Sequence, residues 1–88
     1  MIKGKIVVTN PSGLHLRPAG LLCREAMRFK SQISIYMNDC IANAKSVLSV
    51  LGACVKCGDE ILLVCQGEDE EEAFLMIKEL IESGLEEE

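Results

Sequence analysis

The sequence predicts a small α+β protein with four strands and three helices in the order βαββαβα. Three observations lead there. Apolar residues recur at spacings of three and four in 16–29 and again in 73–81; they alternate at every second position in 32–37; and further short apolar runs are closed by turn-forming residues. At 88 residues the chain has room for one core and too little sequence for two, so one domain is expected over 1–88. Helices in this order can cover one face of an antiparallel sheet.

Residues 3–9 read as a strand from the β-branched run Ile6, Val7, Val8, and Asn10, Pro11, Ser12 and Gly13 punctuate it as a loop. From 16 to about 29, Ala19, Leu22, Ala26 and Phe29 share a helical face, while Arg24, Glu25 and Arg28 fall elsewhere on the wheel. Pro18 lies in the first turn of that helix, where a missing backbone donor does little harm. Ile33, Ile35 and Met37 alternate with Gln32, Ser34 and Tyr36 as in a strand with one buried face. Asn38 and Asp39 are turn formers, so 40–43 is expected to return as the hairpin partner.

Ser46 suits the N-cap of a short helix carrying Val47, Leu48, Val50 and Leu51, with Gly52 helping to end it. Gly58 and Asp59 open a fourth strand, 61–65, which closes at Gln66 and Gly67. The last helix starts with Asp69, Glu70, Glu71 and Glu72, acids that favour the positive end of a helix dipole. It continues with Ala73, Ile77, Leu80 and Ile81 on one face and stops at Gly84. The acidic run is read as a solvated helix start without a partner of its own, and 86–88 are expected to fray.

Composition narrows the function classes. Nine basic against fourteen acidic side chains give a net charge of -5, a sign that repels phosphate backbones and anionic lipid. The aromatic residues are only Phe29, Tyr36 and Phe74, which offers no stacking surface for bases. Apolar runs fall far short of the roughly 20 residues a membrane span needs, and the start of the chain lacks the continuous apolar segment of a signal peptide. Five cysteines cannot all pair within one chain, so a reducing, cytoplasmic compartment is expected.

The one histidine lies in Gly13-Leu14-His15-Leu16-Arg17-Pro18-Ala19, at the N-terminal edge of the first helix. A helix start presents unpaired N–H groups and partial positive charge, and an arginine adds a planar fork of donors suited to phosphate oxygens. Neutral imidazole is nucleophilic, and phosphoryl transfer asks mainly for positioning and charge stabilisation. The residues therefore make His15 and Arg17 a candidate anion or phosphoryl site, with a plain loop or capping histidine as the other reading.

That motif resembles the active-site motif of the HPr family, the histidine phosphocarriers of the bacterial sugar phosphotransferase system. A second block, Asn43-Ala44-Lys45-Ser46-Val47-Leu48-Ser49-Val50-Leu51, is similar to the family's regulatory segment and stands in the right register to the first. The resemblance implies an open-faced two-layer sandwich, a four-stranded antiparallel sheet with three helices on one side. It further implies that His15 accepts phosphate at Nδ1 from phosphoenolpyruvate-charged enzyme I and passes it to IIA domains of sugar permeases, with Arg17 steadying the phosphate. Two positions depart from the family pattern: Leu16 is larger than the small residue often found there, and Cys54 stands where glycine is common.

Ser46 alone reads as a structural N-cap. The resemblance adds modification by an ATP-dependent HPr kinase/phosphorylase and, through it, contact with a catabolite-control transcription factor. Leu16, Gly20, Val47, Leu48 and Leu51 are assigned to partner docking on the resemblance, with core packing as the alternative. The runner-up function is a regulatory protein of the same fold working through Ser46. No cofactor or metal site is expected, and a monomer suits a shuttle.

Cys54-Val55-Lys56-Cys57 has C-x-x-C spacing, as in redox pairs or half a zinc site. It lacks a second pair and the strand-helix setting of a thioredoxin-like motif, so no thiol or metal function is assigned to it. Cys23, Cys40 and Cys65 sit in periodic segments and read as small hydrophobes.

Overall fold

A computed structural model describes residues 1–85. Its elements are β1 (Ile2–Val7), α1 (Leu16–Ala26), β2 (Gln32–Met37), β3 (Cys40–Asn43), α2 (Val47–Gly52), β4 (Glu60–Gln66) and α3 (Glu70–Glu82), the βαββαβα order expected. The strands form one antiparallel sheet in the order β1-β4-β2-β3.

Register places the apolar alternation on one face. Ile6 lies opposite Ile61, Ile33 opposite Cys65, and Ile35 opposite both Leu63 and Ala42. All of these are buried. The helices bury Ala19, Leu22 and Ala26 from α1, Val50 from α2, and Ala73, Ile77 and Ile81 from α3 in the same core. The opposite face of the sheet carries Lys3, Lys5, Gln32, Asn43 and Glu60 in solvent. α3 packs on β1 and β4, α2 on β3, and α1 against both other helices.

Several features differ from the sequence reading, beyond one-residue extensions at both ends of β4. The first strand leaves the ladder after Val7, although Val8 stays buried and exchanges backbone hydrogen bonds with Asp59 and Gly58. α1 ends at Ala26, so Phe29 packs on the core from beyond the helix. Gly52 is the last residue of α2 and does not reverse the chain. That falls to Cys54, held at φ +53°, with its N–H donating to the Leu51 carbonyl at 3.2 Å.

A further difference is in the acidic run. Asp69 is not without a partner: its carboxylate accepts from the N–H groups of Lys30 and Ser31, both at 2.9 Å, and from the Ser31 hydroxyl at 2.5 Å. These bonds, the hydroxyl first, hold its pKa down at about 2. The pKa of Glu70 is lowered by the terminal ammonium of Met1 at 2.9 Å and by the N–H of Gly67. Helix α3 closes as anticipated at Gly84, with the Gly84 N–H on Ile81 and the Leu85 N–H on Leu80, a Schellman ending whose Leu85 side chain is buried. The fraying expected at 86–88 lies outside the described residues.

Candidate functional site

The loop before α1 is held from two directions. The buried Asn10 amide donates from Nδ2 to the Gly13 carbonyl at 2.6 Å, and the Gly13 N–H returns to the Asn10 carbonyl at 3.0 Å. Gly13 adopts φ +63°, and a Cβ there would stand 2.4 Å from the Val55 carbonyl oxygen and 2.7 Å from Lys56 Cα. Only glycine allows both the left-handed turn and this close backbone approach. The Leu14 N–H then donates to the Val55 carbonyl at 2.9 Å, and its side chain is buried. The chain therefore enters the next residue from a fixed position.

That residue is His15, the N-cap of α1, with extended backbone at φ -81° and ψ -171°. Its carbonyl accepts from the Ala19 N–H at 2.8 Å, while its imidazole is exposed and makes no capping bond. Leu16 and Arg17 follow, both exposed, and then Pro18, which is buried. The first turn of a helix has no intrahelical acceptors for its leading N–H groups, and proline has no N–H at all. The donors left at this helix start are those of His15, Leu16 and Arg17. The helix start, with its unpaired N–H groups and partial positive charge, and the exposed Arg17 two residues on suit an anion beside His15.

Ser46 is the N-cap of α2, and its Oγ accepts from the Ser49 N–H at 3.3 Å. Around it, Ser49 Oγ accepts from the Asn43 N–H at 2.8 Å and Asn43 Oδ1 from the Lys45 N–H at 3.0 Å. Lys45 is tied to the region of α1: its Nζ donates to the Phe29 carbonyl at 2.7 Å, and its carbonyl accepts from Cys23 Sγ at 3.0 Å. Sequence reasoning missed these roles of Lys45 and Cys23, because partners sixteen and twenty-two positions away leave no local pattern.

The five docking candidates divide. Leu16 and Leu48 stand out in solvent, at 60% and 82% exposure. Val47 and Leu51 are half-buried and pack on the core with one side. Gly20 is half-buried with open space where a side chain would be. Among the thiols, Cys65 is fully buried; burial, and then the nearby acids Glu70 and Asp69, push its pKa up to about 11. Cys54 and Cys57 are exposed. Among the described residues no three metal-ligating side chains converge, and no helix is long and apolar enough to cross a membrane.

An antiparallel four-stranded sheet with three helices, carrying a histidine at the exposed start of α1, is the architecture of the HPr phosphocarriers. The chain belongs to the HPr family: residues 2–83 match the family model described as the PTS HPr component phosphorylation site. It is 38% identical over its whole length to the phosphocarrier protein HPr of Treponema pallidum, covering all of that protein. It is 40% identical over 84% of its length to the HPr-like protein Crh of Bacillus subtilis, covering 87% of it. The crystal structure of an HPr from Thermoanaerobacter tengcongensis superposes with a TM-score of 0.95 at 39% identity, covering 100% of this chain and 99% of that one.

Proposed function

We propose that this chain, as one cytoplasmic domain over 1–88, accepts a phosphoryl group from enzyme I on His15 and donates it to IIA domains of sugar permeases. The observation that carries the reading is the exposed imidazole of His15 at the start of α1, uncommitted to capping and preceded by a residue anchored on Val55. In the transfer, a lone pair on Nδ1 attacks phosphorus as the bond to the donor protein breaks. The incoming oxygens find the N–H groups of Leu16 and Arg17, with the Arg17 guanidinium beside them. Return of the group to a IIA domain is the same displacement in the other direction. Leu16, Gly20, Val47, Leu48 and Leu51 form the docking surface, Leu16 and Leu48 as its most exposed members. The carrier works as a monomer.

The test is incubation with enzyme I and phosphoenolpyruvate, followed by mass spectrometry. An acid-labile phosphate is expected on the wild type and none on His15→Ala; a wild type that stays unmodified overturns the reading.

A regulatory second role is supported by Ser46, whose hydroxyl sits on the first turn of α2. A phosphate there adds nearly two negative charges at a helix start, which the helix tolerates and an acidic partner does not. We propose that HPr kinase/phosphorylase modifies Ser46 and that the product binds a catabolite-control transcription factor. Incubation with that kinase and ATP is expected to give an acid-stable phosphate, lost in Ser46→Ala. Failure to label would remove this role alone.

A further inference from the structure

The carrier function leaves Cys54-Val55-Lys56-Cys57 without a task, yet this segment is the seat of the histidine loop. Val55 supplies the carbonyl on which Leu14 is anchored, and Gly13 lies directly against Val55 and Lys56. The two thiols flank that seat and both are exposed. Cys57 Sγ lies 3.5 Å from the Thr9 carbonyl, on the other side of the same loop. Cys54 is held in a left-handed conformation, and Gly58, next to Cys57, takes φ +94° with open space where a side chain would stand. Core packing, the role of a buried cysteine such as Cys65, accounts for neither.

We propose that Cys54 and Cys57 are a reversible oxidation site, a dithiol that hydrogen peroxide converts to an intrachain disulfide, and that this bridge displaces the seat of the His15 loop. One thiolate attacks peroxide, giving a sulfenic acid and releasing hydroxide. The second thiolate displaces hydroxide from that sulfur and forms the S–S bond. Both hydroxides take up the protons lost by the thiols, so two waters leave and the protein loses two electrons and two protons. A disulfide holds its Cα atoms within about 7 Å, and Val55 and Lys56 between the two thiols here form no helix, strand, turn or bend, so closing the ring curls them. The Val55 carbonyl then moves, and Leu14 moves with it. Exposed, strained bridges are the readily reduced kind, which makes the change reversible.

The consequence for phosphate uptake rests on the carrier reading, but the site does not, and the experiment separates them. Reduced protein is exposed to hydrogen peroxide, digested with trypsin without reduction, and analysed by mass spectrometry. Cleavage after Lys56 parts the two cysteines, so a bridge appears as peptide 46–56 joined to peptide 57–78, lighter by two hydrogen atoms than the free pair. The joined species is expected in the wild type, absent from Cys54→Ser and Cys57→Ser, and reversed by dithiothreitol. In parallel, the Leu14 amide resonance is expected to shift on oxidation, and the rate of labelling by enzyme I to fall several-fold in the wild type but in neither variant. No joined peptide, its persistence in Cys57→Ser, or an unmoved Leu14 amide overturns the proposal. A reduced protein that takes no phosphate at all counts against the carrier reading instead.

Discussion

The N–H of Leu14 lies 2.9 Å from the carbonyl oxygen of Val55, a bond between positions 41 residues apart that sets where the chain enters α1. The close approach it needs is made by Gly13, whose Cα is pressed against the same carbonyl. Gly13→Ala must therefore push two backbone segments apart and hold alanine at positive φ. The left-handed conformation alone costs about 1–2 kcal/mol and the overpacking about 1–3 kcal/mol. A loss of at least about 2 kcal/mol in urea unfolding is expected, together with slower phosphorylation of His15.

At Cys54 the same backbone conformation occurs without crowding. Cys54→Gly relieves about 1–2 kcal/mol of left-handed strain but adds about 0.4–1 kcal/mol of unfolded-chain entropy. A net stabilisation of about 0–1.6 kcal/mol is expected, read as a small rise in the urea midpoint at unchanged slope. A fall in the midpoint would show that the thiol makes a stabilising contact.

Ser46 reports on capping through the 3.3 Å bond to Ser49 N–H. Ser46→Ala removes that acceptor and is expected to cost roughly 0.5–1 kcal/mol, toward the lower end for caps because the bond is long. In a chain of this size that is a fall in Tm of roughly 2–8 °C. Ser46→Asp keeps a cap oxygen and is expected to stay near the wild type.

Asp69 makes stability depend on acid. Its folded pKa, about 2, lies below the ordinary value of 3.8, so the unfolded chain takes up the proton first as pH falls. The stabilisation is therefore fully present above pH 3.8 and lost as pH drops toward 2. Asp69→Asn is expected to be less stable at neutral pH and to lose less on acidification. Urea midpoints at pH 7, 4 and 2.5 check this; parallel curves for the two proteins would refute it.

Thiol chemistry should divide by burial. Only the thiolate reacts, and Cys65 is both inaccessible and raised to about 11. At pH 8 iodoacetamide is expected to modify Cys54 and Cys57 within minutes and Cys65 only on unfolding, which peptide mass spectrometry resolves.

Much of this was legible in the sequence where the signal was periodic or local. Ile33 and Ile35 alternate because one face of β2 is buried, and Ala19, Leu22 and Ala26 repeat because one face of α1 is. Ser46 and Gly84 could be read as helix ends because capping acts within a few residues. The His15 motif was legible as a motif, and its exposure followed from its place at a helix start. What stayed hidden depends on chain folding back over long separations. Asp69 looked like one acid among four, and its link to Ser31 crosses 38 positions. Val55 carries no local signal, and only the approach of Gly13 gives its carbonyl a role. Cysteine at 54 does not itself announce a left-handed backbone; the sign of it is the glycine common at this position in the family.

The strand order carries a consequence for how the molecule is born. β1 is an edge strand whose hydrogen-bonded neighbour is β4, residues 60–66, and the β2–β4 ladder also spans a long separation. Non-local pairing of this kind raises contact order and slows folding. On the ribosome, Ile2 and Ile6 emerge early and wait, without a ladder, until most of the chain has been made. The β2–β3 hairpin and α1 can form meanwhile, but the four-stranded sheet is complete only once β4 has taken its place between β1 and β2, strands synthesised before it.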